Sequence, residues 1–431
     1  MKKFPPASYI EKIEIDGLFG GDDLVLVASR ASDPRVMVLY GRNGTGKTTV
    51  LSIVRSLLSW EDNSGHRTRL SRIPFSRAAV TLSGGVTVEA KKKNGLTGSF
   101  DWSFRRRGGE SIYIHLPVRD GAIRSRSIEA GQQEKLDVIS GELKSVIPWL
   151  SYLDDKRTFY RASDEFEGEP KFITRRFSDG RVIRTAVPLD ADDDDPVKIG
   201  LAEVTNSIRR EALALSNRGN QDAQTIYTNL VRGLAAFPQS KIESKGGLKD
   251  KLLDLERRGA VVSEYGLSSR VDHSEIISVL KVSEELDSVL FAVLSPYVES
   301  LSARISAIEG LHSRIDVWTG HINNFIYPKR VAFKVGEGVS IISKNGDLLD
   351  SSALSSGERH LLVLMTKAFI LRSTGGLMII DEPELSLNSA WQRALIGALL
   401  DNFDGGACQL LIASHSLEIC SQYVGSLVEM H

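Results

Sequence analysis

Two short runs, far apart in the chain, carry residue types suited to handling phosphate. Gly41-Arg42-Asn43-Gly44-Thr45-Gly46-Lys47-Thr48 fits the pattern G-x-x-x-x-G-K-[ST]. In that pattern, glycines let successive main-chain N–H groups turn toward one point, where a triphosphate can sit. Gly41, Asn43, Gly44 and Gly46 are the turn, Lys47 would reach the β- and γ-phosphates, Thr48 would hold Mg²⁺, and Thr49 follows. Far downstream, Leu377-Met378-Ile379-Ile380 runs into Asp381-Glu382. That is the expected position of a Mg²⁺-side aspartate and of a neighbour that orients or deprotonates an attacking water. Leu354-Ser355-Ser356-Gly357-Glu358 lies between the two runs, and Ala413-Ser414-His415-Ser416 follows them.

These residues need rigid elements behind them. Val36 to Tyr40 is an apolar, partly β-branched run that reads as a buried strand, and Thr49 to Leu58 reads as a helix. A strand feeding a glycine turn that opens a helix aims N–H groups and the helix N-terminus at a phosphate. Leu377 to Glu382 and Leu410 to His415 read as two further buried strands. Each ends at a residue able to do chemistry.

Taken together and in order, the motifs resemble those of ABC-type ATPases of the RecF, SMC and OLD branch. Leu354 to Glu358 is similar to the signature, Asp381-Glu382 to the Walker B pair, and His415 to the switch histidine. The opening text, Tyr9 to Phe19 with Leu24-Val25-Leu26, resembles the start of RecF/OLD-type ATPases. The resemblance implies ATP and Mg²⁺ as cofactors, with Lys47, Glu382 and His415 catalytic and Thr48 and Asp381 at the metal. It also implies that Ser355 and Gly357 contact the nucleotide of a second subunit, so that a homodimer or higher oligomer is needed. The branch carries a linking glutamine, for which Gln132 and Gln133 are the nearest candidates. Pro383 to Asn388 resembles the D-loop segment, with Asn388 where a histidine is frequent.

Composition bounds the rest. The 431 residues suffice for two or three domains, and 42% hydrophobic residues can fill a sizeable core. Lys+Arg 54 against Asp+Glu 55 leaves no global field that demands nucleic acid. Locally, Arg67 to Arg126 holds thirteen Lys or Arg and four Asp or Glu, an excess of nine positive charges. A solvated lobe face and a nucleic-acid or acidic-partner surface both fit that excess. Lys91-Lys92-Lys93 reads as an exposed hairpin end, Arg105-Arg106-Arg107 likewise. Cys408 and Cys420 lack metal-ligand spacing and read as buried reduced thiols in a cytoplasmic chain. Neither a signal peptide nor an apolar run of membrane-spanning length is legible.

The expected fold is α/β, an ABC-type P-loop ATPase head with a flanking antiparallel β-layer and a compact helical insertion. Three regions are expected. Residues 1–189 form an N-terminal lobe, 190–325 the helical insertion, and 326–431 a C-terminal lobe with signature, Walker B and switch histidine. Alternating text from Arg77 to His115 gives the β-layer. Phe159-Tyr160-Arg161 is a candidate return to the sheet. Asp190 to Pro196 reads as a solvated turn or linker. Pro238 and Pro296 are expected to break the following text into short helices, without sustained heptads, which argues against a chromosome-tethering role. Val331 to Val335 and Val339 to Ser343 read as a hairpin, Glu358 to Arg372 as a helix capped by Ser355 or Ser356, and Ser426 to Glu429 as an edge strand.

The resemblance implies an ATP-hydrolysing sensor or scaffold subunit of an anti-phage defence complex, as in Septu, PARIS or retron-associated systems. A nuclease or toxin effector would then be a separate chain, since no nuclease constellation follows His415. Two other readings stand beside it: a RecF-like repair ATPase binding DNA directly, and an ATP-gated oligomeric scaffold with slow turnover.

Overall fold

The computed structural model describes residues 9–29, 33–61, 65–123, 128, 130–153, 172–176, 182–186, 195–235, 245–268, 274–282, 287–403 and 408–430. A hairpin of β1 (Ile10–Asp16) and β2 (Leu24–Val27) precedes β3 (Val36–Tyr40), α1 (Lys47–Leu58) and α2 (His66–Arg72). An antiparallel meander follows: β4 (Arg77–Leu82), β5 (Val86–Lys92), β6 (Phe100–Arg106) and β7 (Ile112–Leu116). Next come α3 (Ala130–Val146), β8 (Leu150–Leu153) and a hairpin of β9 (Phe172–Arg176) and β10 (Val182–Ala186). Then α4 (Pro196–Ala235), α5 (Lys245–Val262), α6 (Ser274–Val282) and α7 (Asp287–Ile326) lead to β11 (Arg330–Lys334), β12 (Gly338–Ile342) and β13 (Leu348–Leu349). The last run is α8 (Ser356–Thr374), β14 (Gly376–Asp381), α9 (Ser389–Asn402), β15 (Cys408–Ser414), α10 (Leu417–Cys420) and β16 (Leu427–Glu429). Contacts divide the chain into one unit of Met1–Val197 with Ser355–His431 and another of Lys198–Leu354.

In the first unit, two sheets share one core. The antiparallel sheet runs β2-β1-β4-β5-β6-β7, and its strands alternate buried and accessible positions as a half-covered sheet must. The parallel sheet runs β16-β3-β15-β14-β8; β15 is buried at every position and β14 at all but its first, as expected of strands covered on both faces. Helix α1 contacts strands of both sheets, and Val50, Leu51, Ile53, Val54, Leu57 and Leu58 enter the same cluster as Val80, Trp102, Ile379 and Leu411. These apolar positions form one broad face of α1, with Ser52 and Arg55 on the side away from it. Gln409 ties the sheets together. Its Oε1 accepts from Ile10 N–H at 2.7 Å, and its Nε2 donates to Pro34 O at 3.0 Å.

The α/β architecture with its antiparallel layer is as the sequence implies, and Leu427–Glu429 does form an edge strand of the parallel sheet. Two details differ, at Lys92 and at Asp195–Pro196. Lys92 is not an exposed hairpin residue: it is 6% exposed, donates to Leu70 O at 2.5 Å and faces the Phe75 and Phe100 rings. The strand period puts it on the inner face between Ala90 and the β-turn, so its stem packs inward with the aromatic residues. The chain returns to the parallel sheet through β8, which pairs with β14, whereas Phe159 to Arg161 lie outside the described residues. Gln132 and Gln133 sit in the first turns of α3, where Gln133 donates to Asp137 at 3.4 Å. Asp195 and Pro196 are not linker: Asp195 Oδ1 accepts from Val197 N–H at 2.9 Å, an N-cap followed by proline at the first helical position. Asp190 to Asp194 lie outside the described residues.

The second unit contains longer helices than the prolines suggest. Helices α4 and α7 each have 40 residues, and α7 runs through Pro296; Pro238 lies outside the described residues. Val298, Leu301, Ile305, Ile308, Ile315, Ile322 and Ile326 form a buried stripe at alternating three- and four-residue steps. His312 and Thr319 fill the polar gaps that hide this heptad spacing in the sequence. Tyr265 serves both, stacking on His312 at 4.9 Å and lying 3.4 Å from Thr319 Oγ1. Arg258 meets Glu309 at 2.6 Å and Tyr265, just past α5, donates to Asp316 at 3.1 Å, so contacts advance together along both segments and α5 and α7 run parallel. The predicted hairpin is β11 and β12 in register from Arg330↔Ile342 to Lys334↔Gly338.

Candidate functional site

Parallel pairing fixes where the chemistry sits. Tyr40 pairs with Ser414 and Ala413 with Asp381, so Gly41, Glu382 and His415 leave the sheet side by side at the C-terminal ends of β3, β14 and β15. Crevices outside the carboxyl ends of parallel strands are where open α/β sheets bind ligands.

The glycine loop has the backbone its pattern requires. Gly44 and Gly46 adopt φ of 88° and 87°, a region closed to most side chains. No atom lies within 4 Å of the place a Cβ on Gly44 would occupy, whereas one on Gly41 would meet Met430 O and Thr45 Oγ1 at 2.8 and 2.9 Å. The loop is therefore packed beneath and open above. Helix α1 starts at Lys47, whose buried ammonium donates to Gly41 O at 2.7 Å and Arg42 O at 2.9 Å. Asn43 and Thr48 are exposed and Thr49 half-buried at the mouth of this cradle. Main-chain donors, a lysine and an open concavity at a helix N-terminus fit a polyphosphate.

The carboxylates differ in environment. Asp381, at the end of β14, is 6% exposed. Glu382 has φ 51°, a left-handed turn forced just after its N–H donates to Ala413 O at 2.9 Å, and its side chain is 32% exposed. Its Oε1 lies 3.9 Å from Nδ1 of His415, whose ring is 42% exposed. Among the described residues, no group of three or more His, Cys, Asp or Glu is placed to hold a metal by itself. Thr48 and Asp381 suit a magnesium ion that takes further oxygens from phosphates.

Glu384, which sequence reasoning passed over, makes the closest contacts in this cluster. It is 6% exposed, and its Oε1 lies 2.8 Å from His415 N and 3.0 Å from His415 Nδ1. Gln392 extends the network, donating to Leu387 O at 2.8 Å and accepting from Ser416 Oγ at 2.7 Å. The only sequence signal was a carboxylate two residues beyond the Asp381-Glu382 pair. Beneath lies Cys420, a free buried thiol pushed up to about 11 by burial and by Glu384; Cys408, also free, is pushed up to about 12 by burial.

Ser355 and Gly357 occupy the N-terminus of α8. Ser355 caps the helix in a capping box with Glu358, whose carboxylate returns to Ser355 N–H at 2.6 Å. A Cβ on Gly357 would collide with the carbonyl of Ser386, itself in a left-handed turn at φ 63°. The signature segment thus packs on the Pro383 to Asn388 segment of its own chain. Asn388 caps α9, accepting from Trp391 N–H at 2.9 Å.

A family model described as "AAA domain, putative AbiEii toxin, Type IV TA system" matches residues 36–421. No curated protein matches the chain. Similar solved structures include the Pyrococcus furiosus Smc head domain with an extended coiled coil bound to the C-terminal domain of ScpA. It has 13% identity and a TM-score of 0.39, over 96% of this chain and 92% of that one. The SMC head domain from Thermotoga maritima has 11% identity and a TM-score of 0.31, over 96% and 91%. The Pyrococcus yayanosii Smc head with a coiled coil and joint has 13% identity and a TM-score of 0.37, over 96% and 94%. No described helix is long and apolar enough to cross a membrane. With a single family model spanning both the glycine loop and the strand that ends before His415, the chain belongs to this AAA-domain family.

Proposed function

We propose that this chain is an ATP-binding and ATP-hydrolysing ABC-type ATPase. Its role is that of a cytoplasmic sensor or scaffold subunit in a prokaryotic anti-phage defence complex, controlling a separate nuclease or toxin effector. The observation that carries the ATPase reading is the shared sheet edge, where the glycine loop, Asp381-Glu382 and His415 emerge together. The family description, which names a toxin of a toxin–antitoxin system, supports the defence reading.

Gly41 through Thr49 cradle the triphosphate, and Lys47 exchanges its two loop carbonyls for phosphate oxygens. Thr48 and Asp381 would hold Mg²⁺, which would neutralise phosphate charge. Glu382 orients the attacking water, and His415 faces the γ-phosphate. Ser355 and Gly357 of one subunit meet the nucleotide of its partner in a homodimer or higher oligomer.

Glu382→Gln lowers ATP turnover about a hundredfold or more while ATP binding persists and the dimer is trapped. Full turnover in that variant removes the assignment. The defence role is tested by co-purifying the operon products on this tagged chain, with mass photometry in the presence and absence of ATP. A stoichiometric nuclease or toxin-like companion supports it. Recovery of DNA without a companion moves the reading to RecF-like repair, and a large ATP-insensitive assembly to a scaffold.

A further inference from the structure

We propose that Glu384 is the positioning residue that sets the ring orientation of His415, holding Nδ1 as a donor and presenting Nε2 outward. The proposal rests on the ATPase reading for its kinetic consequence but not for its chemistry. A single oxygen, Glu384 Oε1, contacts both the main-chain nitrogen of His415 at 2.8 Å and ring Nδ1 at 3.0 Å. A main-chain N–H can only donate, so Oε1 is an acceptor there, and Nδ1 carries the proton that it shares with the same oxygen. The two contacts hold the ring to the backbone of its own residue through one carboxylate. Glu382 lies farther, at 3.9 Å, and is left to face the water.

Burial argues that this carboxylate is held for its effect on the histidine. Its side chain is 5% exposed, and Oε2 is enclosed without a hydrogen-bond partner. Burying a carboxylate oxygen unpaired is costly, and a glutamate kept under that cost beside a half-exposed histidine is a mark of a functional site. The backbone is arranged for the contact. The left-handed turn at Glu382 and the bonds from Leu385 N–H to Glu382 O and Leu387 N–H to Glu384 O swing Glu384 back beneath β15. Gln392 grips the Glu384 carbonyl at 3.3 Å and receives Ser416 Oγ–H, so the segments after β14 and β15 are joined on both sides of His415.

The test combines imidazole nitrogen NMR of His415 with steady-state ATPase kinetics on wild type, Glu384→Ala and Glu384→Gln. Wild type shows a protonated Nδ1 without nucleotide. Glu384→Ala shifts the ring toward the Nε2–H form that free histidine prefers and lowers kcat about tenfold to a hundredfold, with KM for ATP nearly unchanged. Glu384→Gln, which keeps an acceptor oxygen, recovers most of the wild-type spectrum and turnover. An unprotonated Nδ1 in the wild type, or an unshifted ring and full kcat in Glu384→Ala, overturns the proposal. If wild type hydrolyses no ATP, the ATPase reading fails while the NMR comparison still decides the role of Glu384. Should Glu384→Ala not fold, the wild-type and Glu384→Gln spectra carry the decision.

Discussion

Lys47 donates to two carbonyls of its own loop, and phosphate oxygens must displace those contacts. Charge-assisted bonds of this kind contribute about 1.5–3 kcal/mol each, so Lys47→Ala weakens ATP binding about tenfold to a hundredfold by calorimetry. His66 gives a different prediction. It is 3% exposed, its Nδ1 is enclosed without a partner, and its pKa is pushed down to about 2 by burial first and then by Arg55, Arg67 and Arg69. Below the unfolded value of 6.5 the unfolded chain binds a proton that the folded chain refuses, so the stability contribution is complete above pH 6.5 and declines as pH falls toward 2. The limiting slope is about 1.4 kcal/mol per pH unit. In urea titrations from pH 7 to 4, His66→Leu removes that slope; an unchanged slope shows the imidazole is not excluded from protonation. Lys47, Asp381 and His415 were legible because each sits at a fixed offset from an apolar strand. Glu384 and Lys92 were not, since their roles arise from which residues fold over them.

Among elements, the buried strands and the capped helix α8 read clearly, because unbroken apolar runs and the Ser355-x-x-Glu358 box are local signals. Strand β8 was invisible: Leu150 to Leu153 is too short to show a period, and it becomes a strand through its pairing with β14. The heptad stripe of α7 was missed because His312 and Thr319 occupy its polar steps. Gly376 illustrates the same dependence on a neighbour. Its φ is 140°, and a Cβ there would collide with the main chain of Trp149 just before β8. Gly376→Ala therefore has no side chain to yield and is expected to lower stability by about 3 kcal/mol or more. Ser355→Ala, which removes one cap, costs about 1 kcal/mol. Chemical denaturation of both variants checks the ranking, and equal effects would show that β8 shifts to admit the methyl group.

For the whole molecule, the proposal places the signature at α8 against the glycine loop of another subunit rather than its own. Ser355 spends its side chain on its own helix cap, and Gly357 is pressed against Ser386, so within one chain this segment is engaged with the Pro383 to Asn388 turn. A symmetric pair in which each signature meets the partner's glycine loop makes a quantitative prediction, because one isologous dimer then has two composite sites. Lys47→Ala disables a loop and Ser355→Arg disables a signature, so each variant alone is inactive. Mixed in equal amounts with free exchange, about half the dimers pair one of each, and every such dimer contains one site with both damaged parts and one with neither. Turnover then recovers to about a quarter of wild type, given that one intact site works alone. If both parts belong to the same chain, no mixture contains an undamaged site and activity stays at background. The same mixture on a native mass spectrum, with ATP and Glu382→Gln added to each chain, counts the mixed dimers directly and separates failure to pair from failure to turn over.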